Sequence, residues 1–198
     1  GNDRVVFDRT VVDQNGIIAA GAGNDSVQGG SGHDYILGGE GNDRLRGGAG
    51  NDTLDGDAGD DAIVGNRGVD AMLGGLGDDT ISGGFGNDAA AGGSGNDVLR
   101  GGPGFNWLFG DATNEIPDDY AGLVQYAIDH TNDNRGNDHL IGGGGRDILL
   151  AGNGHDHIRT GGGVNLAAGG TGNDSIVGGA DVDFIFGGWG ADRLAGRG

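Results

Sequence analysis

Aspartate returns along this chain every nine residues, and carboxylates at so regular a spacing narrow the chemistry before any element is assigned. Ten units run unbroken from Gly23 to Ala112, beginning GNDSVQGGS, GHDYILGGE and GNDRLRGGA, and seven more run from Gly136 to Gly198. The third place is Asp in fifteen units: Asp25, Asp34, Asp43, Asp52, Asp61, Asp70, Asp79, Asp88, Asp97, Asp138, Asp147, Asp156, Asp174, Asp183 and Asp192. It is Asn in the other two, Asn106 and Asn165. Carboxylates beside the carbonyls of a glycine-rich backbone are hard oxygen donors, which suit calcium far better than zinc or copper. A catalytic acid–base pair needs two carboxyls in unlike environments, whereas these repeat a single environment. No nucleophile elbow, zinc-protease helix or phosphate loop is present.

The elements that carry these residues follow from the other columns. The fifth place is always apolar, from Val27 and Ile36 to Ile185 and Leu194. One apolar residue in nine, flanked by variable positions, predicts a very short strand with a single inward side chain rather than a helix. Glycines at places seven, eight and one predict tight turns with left-handed backbone. Strand and turn alternating at this spacing coil into a parallel solenoid.

Composition says that an apolar core alone will not hold such a chain. Of 198 residues, 51 are Gly and only 2 are Pro, which excludes collagen and proline-rich linkers. Leu, Ile, Val and Phe make up 43 residues, near the fraction below which highly charged chains stay disordered, and the net charge is −19. A positively charged partner is therefore expected. All eleven bases are Arg and none cluster, which argues against nucleic acid and anionic membrane surfaces. The absence of Cys removes disulfides and thiolate metal sites, and no apolar run is long enough for membrane insertion.

The units resemble the nonapeptides of the RTX (repeats-in-toxin, or hemolysin-type) calcium-binding family, Gly-Gly-x-Gly-x-Asp-x-U-x, with U an apolar residue, over about three quarters of the chain. The resemblance implies an all-β fold, a parallel β-roll in which two nonapeptides make one coil and calcium ions sit between a turn and its equivalent one coil later. It implies ligands from the third-place Asp residues, with Asn106 and Asn165 in the same column. It also implies carbonyls of the turn glycines, the first-place ones here being Gly23, Gly32, Gly41, Gly50, Gly59, Gly68, Gly77, Gly86 and Gly95. Units two apart then share a side, so Asp25, Asp43, Asp61, Asp79 and Asp97 form one ladder and Asp34, Asp52, Asp70, Asp88 and Asn106 the other. Strands stack about 4.8 Å apart, and carboxylates in register at that spacing repel unless cations lie between them. Pairing units two apart within each block allows up to about 13 ions. A ligand at ten times its dissociation constant adds about 1.4 kcal/mol per site, so calcium is expected to switch folding itself.

Departures mark places where ions are expected to be weaker or absent: Asn106 and Asn165, Asp181 in place of a turn glycine, and Asn66, Asp57, Asp111 and Arg197 in place of the second glycine of a pair. Residues 1–22 read as a degenerate coil or N-terminal cap, 23–112 and 136–198 as two roll blocks, and 113–135 as an insert. In the insert, Pro117, Asp118 and Asp119 start a short helix with Tyr120, Leu123, Val124, Ala127 and Ile128 on one face, and Trp107 and Phe109 are its expected floor. The alternative for the insert is a site for self-association, an extracellular partner or a sugar. His155 and His157 are assigned to a solvated face rather than to zinc, and Phe184, Phe186 and Trp189 to packing within or at the end of the roll rather than to sugar binding. The reading is a non-catalytic, calcium-binding segment of a secreted or cell-surface bacterial protein that leaves the cell unfolded by type I secretion. Its alternatives are a segment of an adhesin, surface layer or extracellular filament, or the tail of a secreted protease, lipase or epimerase. An ice-binding array is excluded, because the fourth-place column lacks regular Thr. The last unit ends the chain inside a repeat, so a piece of a longer protein is expected.

Overall fold

The computed structural model describes residues 1–6, 16–111 and 136–196. Its strands before the insert are β1 (Arg4–Val6), β2 (Ile17–Ala22), β3 (Ser26–Ser31), β4 (Tyr35–Glu40), β5 (Arg44–Ala49), β6 (Thr53–Ala58), β7 (Ala62–Arg67), β8 (Ala71–Leu76), β9 (Thr80–Phe85), β10 (Ala89–Ser94), β11 (Val98–Pro103) and β12 (Trp107–Phe109). After it come β13 (His139–Gly144), β14 (Ile148–Asn153), β15 (His157–Gly162), β16 (Leu166–Thr171), β17 (Ser175–Val177), β18 (Phe184–Trp189) and β19 (Arg193–Ala195). Odd-numbered strands form a ten-stranded sheet and even-numbered strands a nine-stranded sheet, all parallel. The chain alternates between the two sheets, so each coil of the solenoid takes two nonapeptides.

Register follows the repeat. Val27 pairs with Leu45, and Leu45 with Ile63, which stacks the fifth-place side chains into one aliphatic column between the sheets. Those side chains are buried from Val27 through Ile176, the Val, Leu, Ile and Met among them contributing about 1.5–3 kcal/mol each, while Leu194 on the last strand is exposed. The two repeat blocks form one continuous stack, because Leu99 of β11 pairs with Leu140 of β13 and Leu108 of β12 with Leu149 of β14. The first strands join it as well: β1 pairs with β3 and β2 with β4. Among the described residues no helix is long and apolar enough to cross a membrane. The expected helix of 113–135 lies outside the described residues. Its expected floor is part of a second apolar cluster on the outward side of the even sheet, where Phe109, Leu73, Ala89 and Ala91 are buried and Trp107 packs against them.

The glycines divide by role, and one expectation is corrected. Places eight and one are left-handed, as at Gly39 (φ 108°) and Gly50 (φ 130°), and a Cβ at Gly50 would strike the Gly32 carbonyl one coil below. The seventh-place glycines are not left-handed. They are glycine for space: a Cβ at Gly29 would lie 2.5 Å from Asp34 Oδ2 and 2.5 Å from the carbonyl oxygen of Gly47.

Candidate metal centre

The turns between strands form two rows along the roll, each built by the Gly-x-Asp triplet. In the first row, each Asp accepts through Oδ1 the backbone N–H of its counterpart one coil earlier: Asp25 donates to Asp43 (2.7 Å), Asp43 to Asp61 (2.7 Å) and Asp61 to Asp79 (2.7 Å). The chain of bonds crosses the insert, from Asp97 to Asp138 (2.9 Å), and runs on through Asp156 and Asp174 to Asp192. The second row repeats the pattern from Asp34 through Asp52, Asp70, Asp88, Asn106, Asp147 and Asn165 to Asp183. Both ladders expected from the repeat are thus present as hydrogen-bonded columns. One carboxylate oxygen of each Asp is spent on holding coil to coil.

In thirteen of these Asp residues the other oxygen has no partner, whereas Asp183 Oδ2 accepts from the Thr160 hydroxyl (3.2 Å) and Gly179 N–H (2.7 Å). Oδ2 is buried and without a hydrogen bond in Asp25, Asp34, Asp43, Asp52, Asp61, Asp70, Asp79, Asp88, Asp97, Asp138, Asp147, Asp156 and Asp174, all nearly inaccessible, whereas Asp183 and Asp192 at the end of the stack are half-buried. A buried, unpaired carboxylate oxygen is costly, and the same cost recurs in thirteen turns. Two oxygens converge beside seventh-place glycines such as Gly29, Gly56 and Gly74, the Oδ2 at the end of the same turn and a carbonyl of the next coil. Both oxygens lie 2.5 Å from where a Gly29 Cβ would be, so they approach each other across the turn with no side chain between them. Burial, opposed by the backbone hydrogen bond and reinforced by neighbouring carboxylates, raises Asp61, Asp79 and Asp97 to about 7. The same causes raise Asp138 to about 8.

The sequence model of the RTX calcium-binding nonapeptide repeat matches residues 12–45, 37–72, 65–99, 91–116, 132–167 and 159–194. The chain belongs to this family. No curated protein matches it. Its RTX repeats make a calcium-binding structural module, and the unpartnered Oδ2 atoms and carbonyls described above are the oxygen donors that fit such an ion.

Not every turn of this RTX roll keeps that donor set. Oδ1 of Asn106 accepts from Asp88 N–H, so its amide nitrogen stands where Oδ2 stands elsewhere, and it donates to the Gly102 carbonyl (3.1 Å) and Asp147 Oδ1 (3.0 Å). Asn165 likewise donates to the Gly163 carbonyl (3.0 Å) and Asp183 Oδ1 (2.9 Å). At Gly101 the uncharged Asn106 Nδ2 thus stands where other turns bring a carboxylate oxygen. Seventh-place Ala151 and Thr160 put a real Cβ where other turns have glycine, a departure visible in the sequence but missed there. Asp57 (φ 73°) and Asn66 (φ 83°) adopt the left-handed backbone of the glycines they replace.

The second place carries a further ladder that reading it as variable overlooked. Asn24 Oδ1 accepts from Asn42 N–H (3.0 Å), Asn42 from Asp60 (3.2 Å), Asp60 from Asp78 (3.0 Å) and Asp78 from Asn96 (2.8 Å). Asn137 accepts from His155 N–H (2.7 Å), and His155 Nδ1 from Asn173 N–H (2.8 Å). The signal was the excess of Asn and Asp in that column. His155 is therefore a turn residue, while His157 is exposed on β15, its ring 6.1 Å from that of His139. Phe184, Phe186 and Trp189 lie on β18, the end strand of the even sheet, and all three are exposed, Trp189 by 83 %.

Proposed function

We propose that this chain is a non-catalytic β-roll that binds several calcium ions in its two turn rows and folds only when they are bound. The observation that carries this reading is the row of buried Oδ2 atoms without partners, several of them, such as those of Asp34, Asp61 and Asp79, beside a carbonyl of the next coil. The ligands proposed are the third-place Asp carboxylates with turn carbonyls. Calcium, when bound, supplies the positive charge that these oxygens lack. The residues do the remainder: Oδ1 latches coil to coil, the left-handed glycines turn the chain, and the aliphatic column fills the axis. Without a cation the buried carboxylates oppose one another and the roll loses its reason to close.

Secretion is part of the same proposal. A chain of net charge −19 whose carboxylates repel one another stays unfolded in calcium-poor cytosol and folds on meeting extracellular calcium, the family's implied type I route to the cell exterior or surface. The stack is continuous across the insert, which favours a rod-like module, whether it serves an adhesin, a surface layer or a secreted enzyme as its tail. The test is far-UV circular dichroism during calcium titration, with magnesium and a chelator as controls. Cooperative β signal at submillimolar to millimolar calcium, lost with chelator and not produced by magnesium, is the expected result. A chain equally folded without calcium overturns the reading.

A further inference from the structure

One buried carboxylate belongs to neither ladder. Asp111 takes the eighth place of its unit, where glycine is the rule, in the one turn whose sequence is interrupted before Gly136. It is fully buried, 0 % exposed. Its Oδ2 accepts the N–H of Asn153 in the next coil (2.5 Å), and its Oδ1 is buried without any partner. Beside it, the cradle at Gly110 is bounded by Asp138 Oδ2 and the Ala151 carbonyl, and Asp138 Oδ2 is also unpartnered. Asp111 acts electrostatically on Asp138, and it is itself acted on by Asp156 and Asp97. Burial first, and then these neighbours, raise its carboxyl to about 7 against the hydrogen bond from Asn153. A solvated acidic substitution at a turn looks different: Asp57, at the same place in a regular turn, is exposed.

We propose that Asp111 is an additional calcium ligand, giving the cation site beside Gly110, Asp138 and the Ala151 carbonyl one more carboxylate than a regular turn has, so that this site fills first. The inference rests on the calcium-binding reading above and corrects the expectation that replacing the turn glycine at Asp111 weakens its site. Ligand charge tunes calcium affinity in oxygen sites, so an extra carboxylate strengthens the one site where the turn is broken by the insert. The fold gains an anchored start at the seam between its two repeat blocks.

The test uses the full chain and its Asp111→Gly and Asp111→Asn variants, the second matching the Asp side chain in size. Bound calcium is counted by atomic emission after dialysis against buffered free calcium, and fold at saturating calcium is checked by circular dichroism. The parent chain should retain one ion at free calcium about tenfold below the midpoint of the others. Both variants should lose that ion yet reach the parent's β signal at saturation. Asp57→Gly, at the same repeat place, should keep it. Equal retention in parent and Asp111→Asn overturns this proposal and leaves the calcium-binding reading standing. No calcium in any of the chains overturns both.

Discussion

The two turn rows share one roll and one nonapeptide, yet their carboxylates have different neighbours. In the first row the third-place column is Asp without interruption from Asp25 to Asp192, and the second-place column links its coils through Asn, Asp and His from Asn24 to Asn173. In the second row Asn106 and Asn165 replace Asp, and Val69, Phe105, Arg146, Val164 and Val182 interrupt the second place. The consequence is electrostatic. Asp61 and Asp79 face not only the next carboxylates of their own column but also Asp60, whereas Asp147 between two Asn residues is raised only to about 6, and by burial. Regularity raises the need for cations, and each Asn relieves it locally. On the proposed reading the unbroken first row depends more on cations, and Asn106 and Asn165 relieve the second row locally.

The largest test removes the charge rather than a residue. The shifts are upward, so the metal-free folded chain binds more protons than the unfolded chain. The stability linked to these groups is complete below the unfolded carboxylate range, near pH 4, and is lost as pH rises through the folded values. Those values are about 6 for Asp52, Asp88 and Asp147 and about 7 for Asp70 in the second row, and about 6 for Asp156, about 7 for Asp61, Asp79 and Asp97 and about 8 for Asp138 in the first. In chelator, β signal should therefore grow as the pH falls from 8 to 5. Saturating calcium should flatten that dependence. Signal that instead falls on acidification breaks the account of both rows.

Single carboxylates come next. Asp61→Ala removes a coil-to-coil latch and a proposed ligand from the middle of the unbroken row, and should cost about 2–3 kcal/mol of calcium-loaded stability. Asp147→Ala, flanked by Asn106 and Asn165, should cost clearly less. Both are read as shifts in the calcium midpoint of folding, and equal shifts remove the distinction between the rows. The reverse substitution, Asn106→Asp, should convert a self-satisfied turn into a regular one. It should add one ion to the stoichiometry, contribute about 1.4 kcal/mol at tenfold excess calcium, and weaken whatever structure persists in chelator. An unchanged ion count would show that the amide does not stand in for a cation.

Much of this was legible in the sequence because a nonapeptide repeat fixes side-chain direction by place. The fifth-place column reads directly as the core, and units two apart read as two ladders. Less visible was what each atom does: spacing alone does not show that Oδ1 serves the backbone while Oδ2 is left without a partner. The seventh-place glycines are a case in point. Turn chemistry suggested left-handed φ, whereas the close approach of Asp34 Oδ2 and the Gly47 carbonyl is what excludes a side chain at Gly29. The burial of Asp111 was likewise not legible, since an acid in a glycine column reads as a solvated departure.

The smallest effect separates backbone strain from charge. Asp57 sits at φ 73° near the end of β6, where glycine would be unstrained, and its N–H is bonded to Asp55 Oδ1 (3.2 Å). Asp55 is in turn raised to about 6, by burial first and then by the Asp57 charge. Asp57→Gly removes both the left-handed strain and the repulsion, at no loss of a third-place carboxylate. It should stabilise the calcium-loaded roll by about 0.5–1 kcal/mol, lowering the calcium midpoint slightly and leaving the ion count unchanged. His157→Ala, on an exposed strand position outside both rows, should move neither quantity. If Asp57→Gly changed the count as Asp111→Gly is expected to, the eighth place would be a ligand position throughout the roll, and the special standing of the interrupted turn would be lost.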